Sequence, residues 1–148
     1  MADNKGIGFL LKQVKTEQFA IIEEAYKEGG NIGFASNLQF SIDQENKFVA
    51  CFAKFIYDEN NCTFLVIEVS AHFSIIEAAW KSFYDADNAS MTIPKSFLAH
   101  LGMITVGTAR GILHAKTENT VFNAFLIPTI NVVEIVKEDA QFSELTHH

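Results

Sequence analysis

From Thr63 to Ile75 apolar and polar side chains alternate. Leu65, Ile67, Val69, Ala71, Phe73 and Ile75 fall on one side, and Glu68, Ser70, His72 and Ser74 on the other. A period of two predicts a strand with one buried face. The stretch before it, 47–57, is rich in β-forming residues and nearly apolar on both faces. Between them, Asp58-Glu-Asn-Asn61 has the composition of a hairpin loop. Further upstream, Leu38, Phe40 and Ile42 alternate with Asn37, Gln39 and Ser41, another half-buried strand. Consecutive strands with short connections predict an antiparallel meander.

The period then changes. After Pro94, suited to a first helical turn, Phe97, Leu98, Leu101, Ile104, Thr108, Ile112 and Ala115 recur at three- and four-residue steps. This predicts a long amphipathic helix ending near Lys116. Its glycines, Gly102, Gly107 and Gly111, each lower helix propensity by up to about 1 kcal/mol. The polar run Thr117–Thr120 closes it. An apolar connector, Val121–Ile130 with Pro128, follows, then a short helix over Asn131–Val136 and a charged tail over 138–148. Residues 76–91, with Trp80, Phe83 and Tyr84 before Asp-Ala-Asp-Asn-Ala-Ser, read as a loop with an aromatic anchor. The N-terminal part allows two readings. Ile7, Leu10, Leu11, Val14, Ile21, Ile22 and Ala25 suit a helix, whereas Phe9, Leu11, Thr16 and Phe19 suit a bent strand ending before Gly29-Gly30.

The chain has 148 residues, 49% of them hydrophobic, and a formal charge of −7. That length suits one domain spanning 1–148, with a core of about 9–137. No uninterrupted apolar run approaches the roughly 18 residues that span a bilayer, and the start carries no export signal. The expected setting is the cytoplasm, without membrane insertion. Arg110 is the only arginine and there is no basic cluster, which argues against nucleic acid as a partner. Cys51 and Cys62 read as reduced packing residues, with residue 51 expected opposite about residue 68 across the hairpin. The histidines lack zinc spacing, and Asp85, Asp87 and Ser90 lack the glycine and final glutamate of a calcium loop. No cofactor or metal is expected. His147 and His148 close the chain, as native tail or tag remnant. The aromatic set is more telling: 14 Phe against three Tyr and one Trp. Phenylalanine offers apolar area with no polar handle, for a core or for an apolar ligand surface.

Several short stretches, in this order, resemble one family. They are Phe64-Leu-Val-Ile-Glu-Val69, Phe73-Ser-Ile75, Ile93-Pro94, Gly107-Thr-Ala-Arg-Gly111 and Leu126-Ile-Pro-Thr-Ile-Asn131. Together they resemble the SecB family of export chaperones and its SecB-like relatives over about residues 9–137. The Phe-Ser-Ile strand end, the corner Ala109-Arg110-Gly111 and the turn Pro128–Asn131 carry the likeness. The resemblance implies an α+β fold with a four-stranded antiparallel sheet, a long helix and a short closing helix. It makes the N-terminal segment a strand and implies a dimer or dimer of dimers. It also implies ATP-independent holding of unfolded polypeptides in apolar grooves for delivery to the SecA motor. Some SecB-like relatives instead guard an unstable antitoxin. One departure concerns the motor: Gln18, Ile22 and Val66 stand where the family carries acids, with Glu17, Glu23 and Glu24 nearby.

Candidate client-binding residues are Phe122, Phe125, Leu126, Ile130 and Val133 of the connector and last helix. Trp80 and Phe83 join them from the aromatic loop, and Ile32 and Phe34 from the segment after Gly30. The helical stripe Phe97, Leu101, Ile104, Thr108 and Ile112 suits core and oligomer contact. A charge of −7 keeps exposed apolar surface soluble and attracts basic segments. The competing class is a small hotdog-like enzyme acting on an acyl substrate. Against it, no nucleophile–base pair, clustered carboxylates or phosphate loop is legible. Phe125→Asp is expected to weaken client binding without changing the far-UV spectrum.

Overall fold

The computed structural model describes residues 7–85 and 89–143, and within them four long antiparallel strands form one sheet. They are β1 (Phe9–Ile21), β2 (Ile32–Asp43), β3 (Phe48–Glu59) and β4 (Cys62–Ile75), in the order β1-β4-β3-β2. The meander β2–β3–β4 is the predicted one, and β1 lies back beside β4. Asn60 and Asn61 turn the β3–β4 hairpin with φ of 52° and 70°. Asparagine tolerates that left-handed conformation, which matches the twist of the strands. The turn is tighter than expected, pairing Glu59 with Cys62, and a one-residue register shift between Tyr57 and Asp58 follows it, so Cys51 faces Ala71 rather than the region of residue 68. Both cysteines are free; Cys51 is buried as expected, but Cys62 is exposed at the turn. Burial pushes the Cys51 thiol up to about 11, against a lowering contact from Thr105.

β1 is a strand interrupted twice, with register shifts between Leu11 and Gln13 and between Thr16 and Gln18. Each bulge resets the alternation. Phe9, Leu11, Val14, Thr16, Phe19 and Ile21 therefore share a face in steps of two and three. That mixed spacing imitates a helix and explains why the segment reads both ways.

A long helix, α2 (Lys95–Thr117), covers one face of the sheet over β3 and β4. Pro94 sits at its N-cap in extended conformation, one residue outside the first turn. The helix buries Phe97, Leu98, Leu101, Thr105, Val106, Ala109 and Leu113. Ile104, Thr108 and Ile112 are only half-buried, at the margin of that stripe. The seam is rotated because it includes Thr105 and Ala109, which a count of large apolar residues passes over. Thr105 satisfies its hydroxyl on the carbonyl of Leu101 at 2.8 Å, one turn back. By length and composition α2 would suffice to cross a bilayer, yet half of its apolar window is packed inside the subunit, as in a core helix.

The aromatic segment after β4 forms a short helix, α1 (Glu77–Phe83), rather than a loop. Its Trp80 and Phe83 are buried with ring centroids 6.4 Å apart, and Phe83 meets Phe97 of α2 at 6.0 Å. Strands β5 (Tyr84–Asp85) and β6 (Ser90–Ile93) follow, with β7 (Ala140–Ser143) paired to β6. Part of the expected tail is thus a strand. Asp87 of the calcium comparison and His147 and His148 lie outside the described residues. The closing helix, α3 (Val132–Ile135), packs where α2 carries Gly102. A Cβ there would lie 2.9 Å from Val132 and 3.4 Å from Leu38, so glycine allows α2, α3 and β2 to meet.

Candidate functional site

Where β2, β3 and the connector meet, aromatic rings gather. Tyr26, from the crossover between β1 and β2, touches Phe64, Phe122 and Phe125 at centroid distances of 4.9, 5.4 and 5.5 Å. Tyr57 of β3 touches Phe34 at 4.9 Å and Phe125 at 5.3 Å. Edge-to-face and tilted pairs of this kind contribute about 0.5–1.5 kcal/mol each beyond area burial. Burial raises the Tyr57 phenol, whose hydroxyl donates to the Leu126 carbonyl. That bond ties the connector to the sheet. Arg110 ties it to α2, donating to the carbonyls of Ile127 and Pro128, both at 2.7 Å. The crossover is held by Glu59, a buried carboxylate that accepts the backbone N–H groups of Lys27 and Gly30.

Above this floor the surface stays apolar and open. Ile32 is 43% exposed, Phe34 36%, Leu126 50%, Val133 61% and Ile135 41%. α3 reaches β2 through Val132, which shares the space around Gly102 with Leu38 and Phe40, while Val133 and Ile135 face outward. A crevice of about 360 Å³ between α2 and α3 adds Ala99, Met103, Val133 and Val136, with Lys95 and Lys137 at its rim. Together these exposed side chains form an apolar strip beside β2, indented at the α2–α3 crevice; strip and crevice are termed the trough.

The edge of the sheet at this trough is unprotected. β2 pairs on one side only, with β3, and its register there is unbroken from Ile32 to Asp43. Ile32 to Ile42 contains no charge and no proline. Charges, prolines and bulges are what blunt an edge against strand addition. β1, the opposite edge, has two bulges and carries Lys12, Lys15 and Glu17.

The candidate residues divide accordingly. Ile32, Phe34, Leu126 and Val133 line the open trough; Phe125 and Ile130 are half-buried at its floor and rim. Trp80, Phe83 and Phe122 do not belong to it, because their rings are sealed in the core, where a client has no access. Phe97 and Leu101 are likewise buried within the chain, out of reach of a second copy. Ile104, Thr108 and Ile112 flank the exposed Gly107 and Gly111 on the outer side of α2. Sequence reasoning missed Ile135, Met103 and Tyr57. Met103 lies off the apolar stripe, and Tyr57 sits in a strand too apolar on both faces to mark either one.

The sheet face away from α2 is different in chemistry. Ser70 donates to Glu17 at 2.6 Å, so His72 donates to the Ser70 oxygen through Nε2 at 2.9 Å. Desolvation lowers the His72 pKa, helped by Lys15 and opposed by Glu17. The Ser70 hydroxyl is fully buried and bonded on both sides, and so is no accessible nucleophile. A depression of about 640 Å³ lies beside it, lined by Gln13, Lys15, Asp43 and Asn46 together with the apolar Ile42, Phe48 and Ala50. Gln18 pairs with Glu68, and Val66 with Ala20, on this face; Ile22 follows β1. Among the described residues no group of three or more His, Cys, Asp or Glu is placed to hold a metal ion.

Fold and surface together define an α+β fold, a sheet backed by one long helix, with exposed apolar side chains at its edge. No protein-family model matches the chain, and no curated protein does. Among solved structures it is similar to a SecB-like chaperone of Mycobacterium tuberculosis in complex with a ChAD peptide from the HigA1 antitoxin. The identity is 9% and the TM-score 0.44, covering 82% of this chain and 90% of that one. A likeness of this size assigns neither family nor ligand.

Proposed function

We propose that the protein is a holding chaperone, binding unfolded or extended polypeptide along β2 without nucleotide. The observation that carries this reading is the uncharged, unbroken β2 edge beside exposed Ile32, Phe34 and Leu126. An extended segment added to such an edge gains main-chain hydrogen bonds whatever its sequence, and apolar neighbours take its alternate side chains. Each apolar side chain fully covered contributes about 1.5–3 kcal/mol. Ordering the segment costs about 2–5 kcal/mol. Two or more must therefore be covered together for net binding. The same reading includes self-association in the cytoplasm through the outer row of α2, Ile104, Thr108 and Ile112 around Gly107 and Gly111.

A second reading, a chaperone devoted to a single client such as an antitoxin, is favoured by the open sheet face. Gln18 and Val66 there, and Ile22 beside it, are not the acids that the family resemblance places at those positions, so an acidic docking surface for an export motor would have to be shifted onto Glu17 and Glu68.

Light scattering from a denatured client, without nucleotide, tests the holding function. The wild type suppresses aggregation, and Leu126→Asp weakens suppression with the far-UV spectrum unchanged. Wild-type protein that leaves aggregation untouched would contradict the proposal. Phe125→Asp is the wrong probe, because that ring packs against Tyr26, Tyr57 and Phe64 and an acid there disrupts the cluster.

A further inference from the structure

Arg110 stands alone electrostatically. From Ser96 to Ala115 it is the only Lys, Arg, Asp or Glu, and 119–133 contains none. Its Nε and one Nη2 N–H are spent on the carbonyls of Ile127 and Pro128, next to the exposed Leu126. Two of five donors are thereby used and the plane of the group is fixed. Among the described residues no carboxylate lies within 4 Å of it, since the ion pairs there are Lys81–Glu77 and His114–Glu118. Glu59 is likewise engaged, by the Lys27 and Gly30 amides. A part-exposed cation with no counter-charge from the described residues keeps three N–H groups free of protein partners, which an anion can take in place of water.

We infer that Arg110 is the polar anchor of the trough, taking a carboxylate of the bound segment on the N–H pair its carbonyl bonds leave open. The inference rests on the polypeptide-holding reading and adds a preference to it: apolar residues adjoining an acidic group. Guanidinium suits this role because its rigid fork matches a carboxylate with two parallel bonds. An acidic side chain and a terminal α-carboxylate offer the same chemistry. The protein's overall negative field acts against both, so any preference for acid is local in origin.

Fluorescence anisotropy with short labelled peptides tests it. Peptides sharing one apolar core carry Glu, Gln or Lys at the flank with an amidated terminus; a further Gln peptide ends in a free acid. The wild type binds the Glu or the free-acid peptide about tenfold more tightly than the amidated Gln peptide, as a charge-assisted bond implies. Whichever of the two gains identifies the source of the carboxylate. In Arg110→Gln that gain falls away. Because this variant also unties the connector, Lys95→Gln and Lys137→Gln serve as controls: the gain persists in both when Arg110 is its source, and its loss in either overturns the anchor. Equal binding of all four peptides, or tightest binding of the Lys peptide, overturns the anchor and leaves the holding function standing. Binding of none removes the holding function and the anchor with it.

Discussion

Glu59 illustrates how much one side chain can organise. It is a carboxylate, only 3% exposed, at the end of β3, and its oxygens accept main-chain N–H groups from the crossover that carries Tyr26. Removing it leaves two donors without their partner. Glu59→Ala should therefore lower stability by about 1–3 kcal/mol in urea denaturation, with Glu59→Gln costing less because an amide oxygen still accepts. Nothing in the local sequence signals this role, since an acid next to a polar turn reads as a solvated residue. The aromatic candidates show the same limit. Ile32, Phe34, Leu126 and Val133 emerge on the surface, whereas Trp80, Phe83 and Phe122 turn inward. All were candidates for one reason, apolar character near a predicted loop, and that character is silent about which way a ring faces.

At the scale of elements, β4 and α2 were legible because each repeats one period over many residues, and β3 because of its β-forming composition beside a polar turn. β1 was not, as its bulges after Leu11 and Thr16 break the alternation. The helix α1 and the small β5–β6–β7 sheet escaped notice too, for seven residues or fewer give no period to read. The length of β2 was also underread: Ile32–Asp43 includes Gly33, Ala35 and Ser36, which blur the apolar side. Yet this strand has the clearest functional consequence. Ser36 pairs with Phe55 between the apolar positions Phe34 and Leu38, and it is exposed. Ser36→Lys places a charge on the edge and should reduce client binding severalfold in a titration, while stability changes by no more than about 0.5 kcal/mol.

For the whole molecule, the sheet has one face on α2, with the edge trough on that side, and one open face of mixed character, where Phe48, Phe52 and Ile56 of β3 stand beside Glu68, Ser70 and His72 of β4. The outer row of α2 supplies a separate surface. A Cβ on Gly107 would meet nothing within 4 Å inside the subunit. Gly107→Ala should therefore stabilise the helix by about 0.5–1 kcal/mol. If copies pack helix against helix there, the added methyl also holds them apart. Size exclusion with light scattering should then show the wild type as an oligomer and the variant shifted toward smaller species.

The central claim, that extended chain is held along β2, is tested most directly by hydrogen exchange of the protein with and without a bound unfolded client. The unpaired amides of 32–42, together with 121–135, should slow when client is present. Slowing confined to 13–20 and 66–74 on the open sheet face, with β2 unchanged, would contradict it.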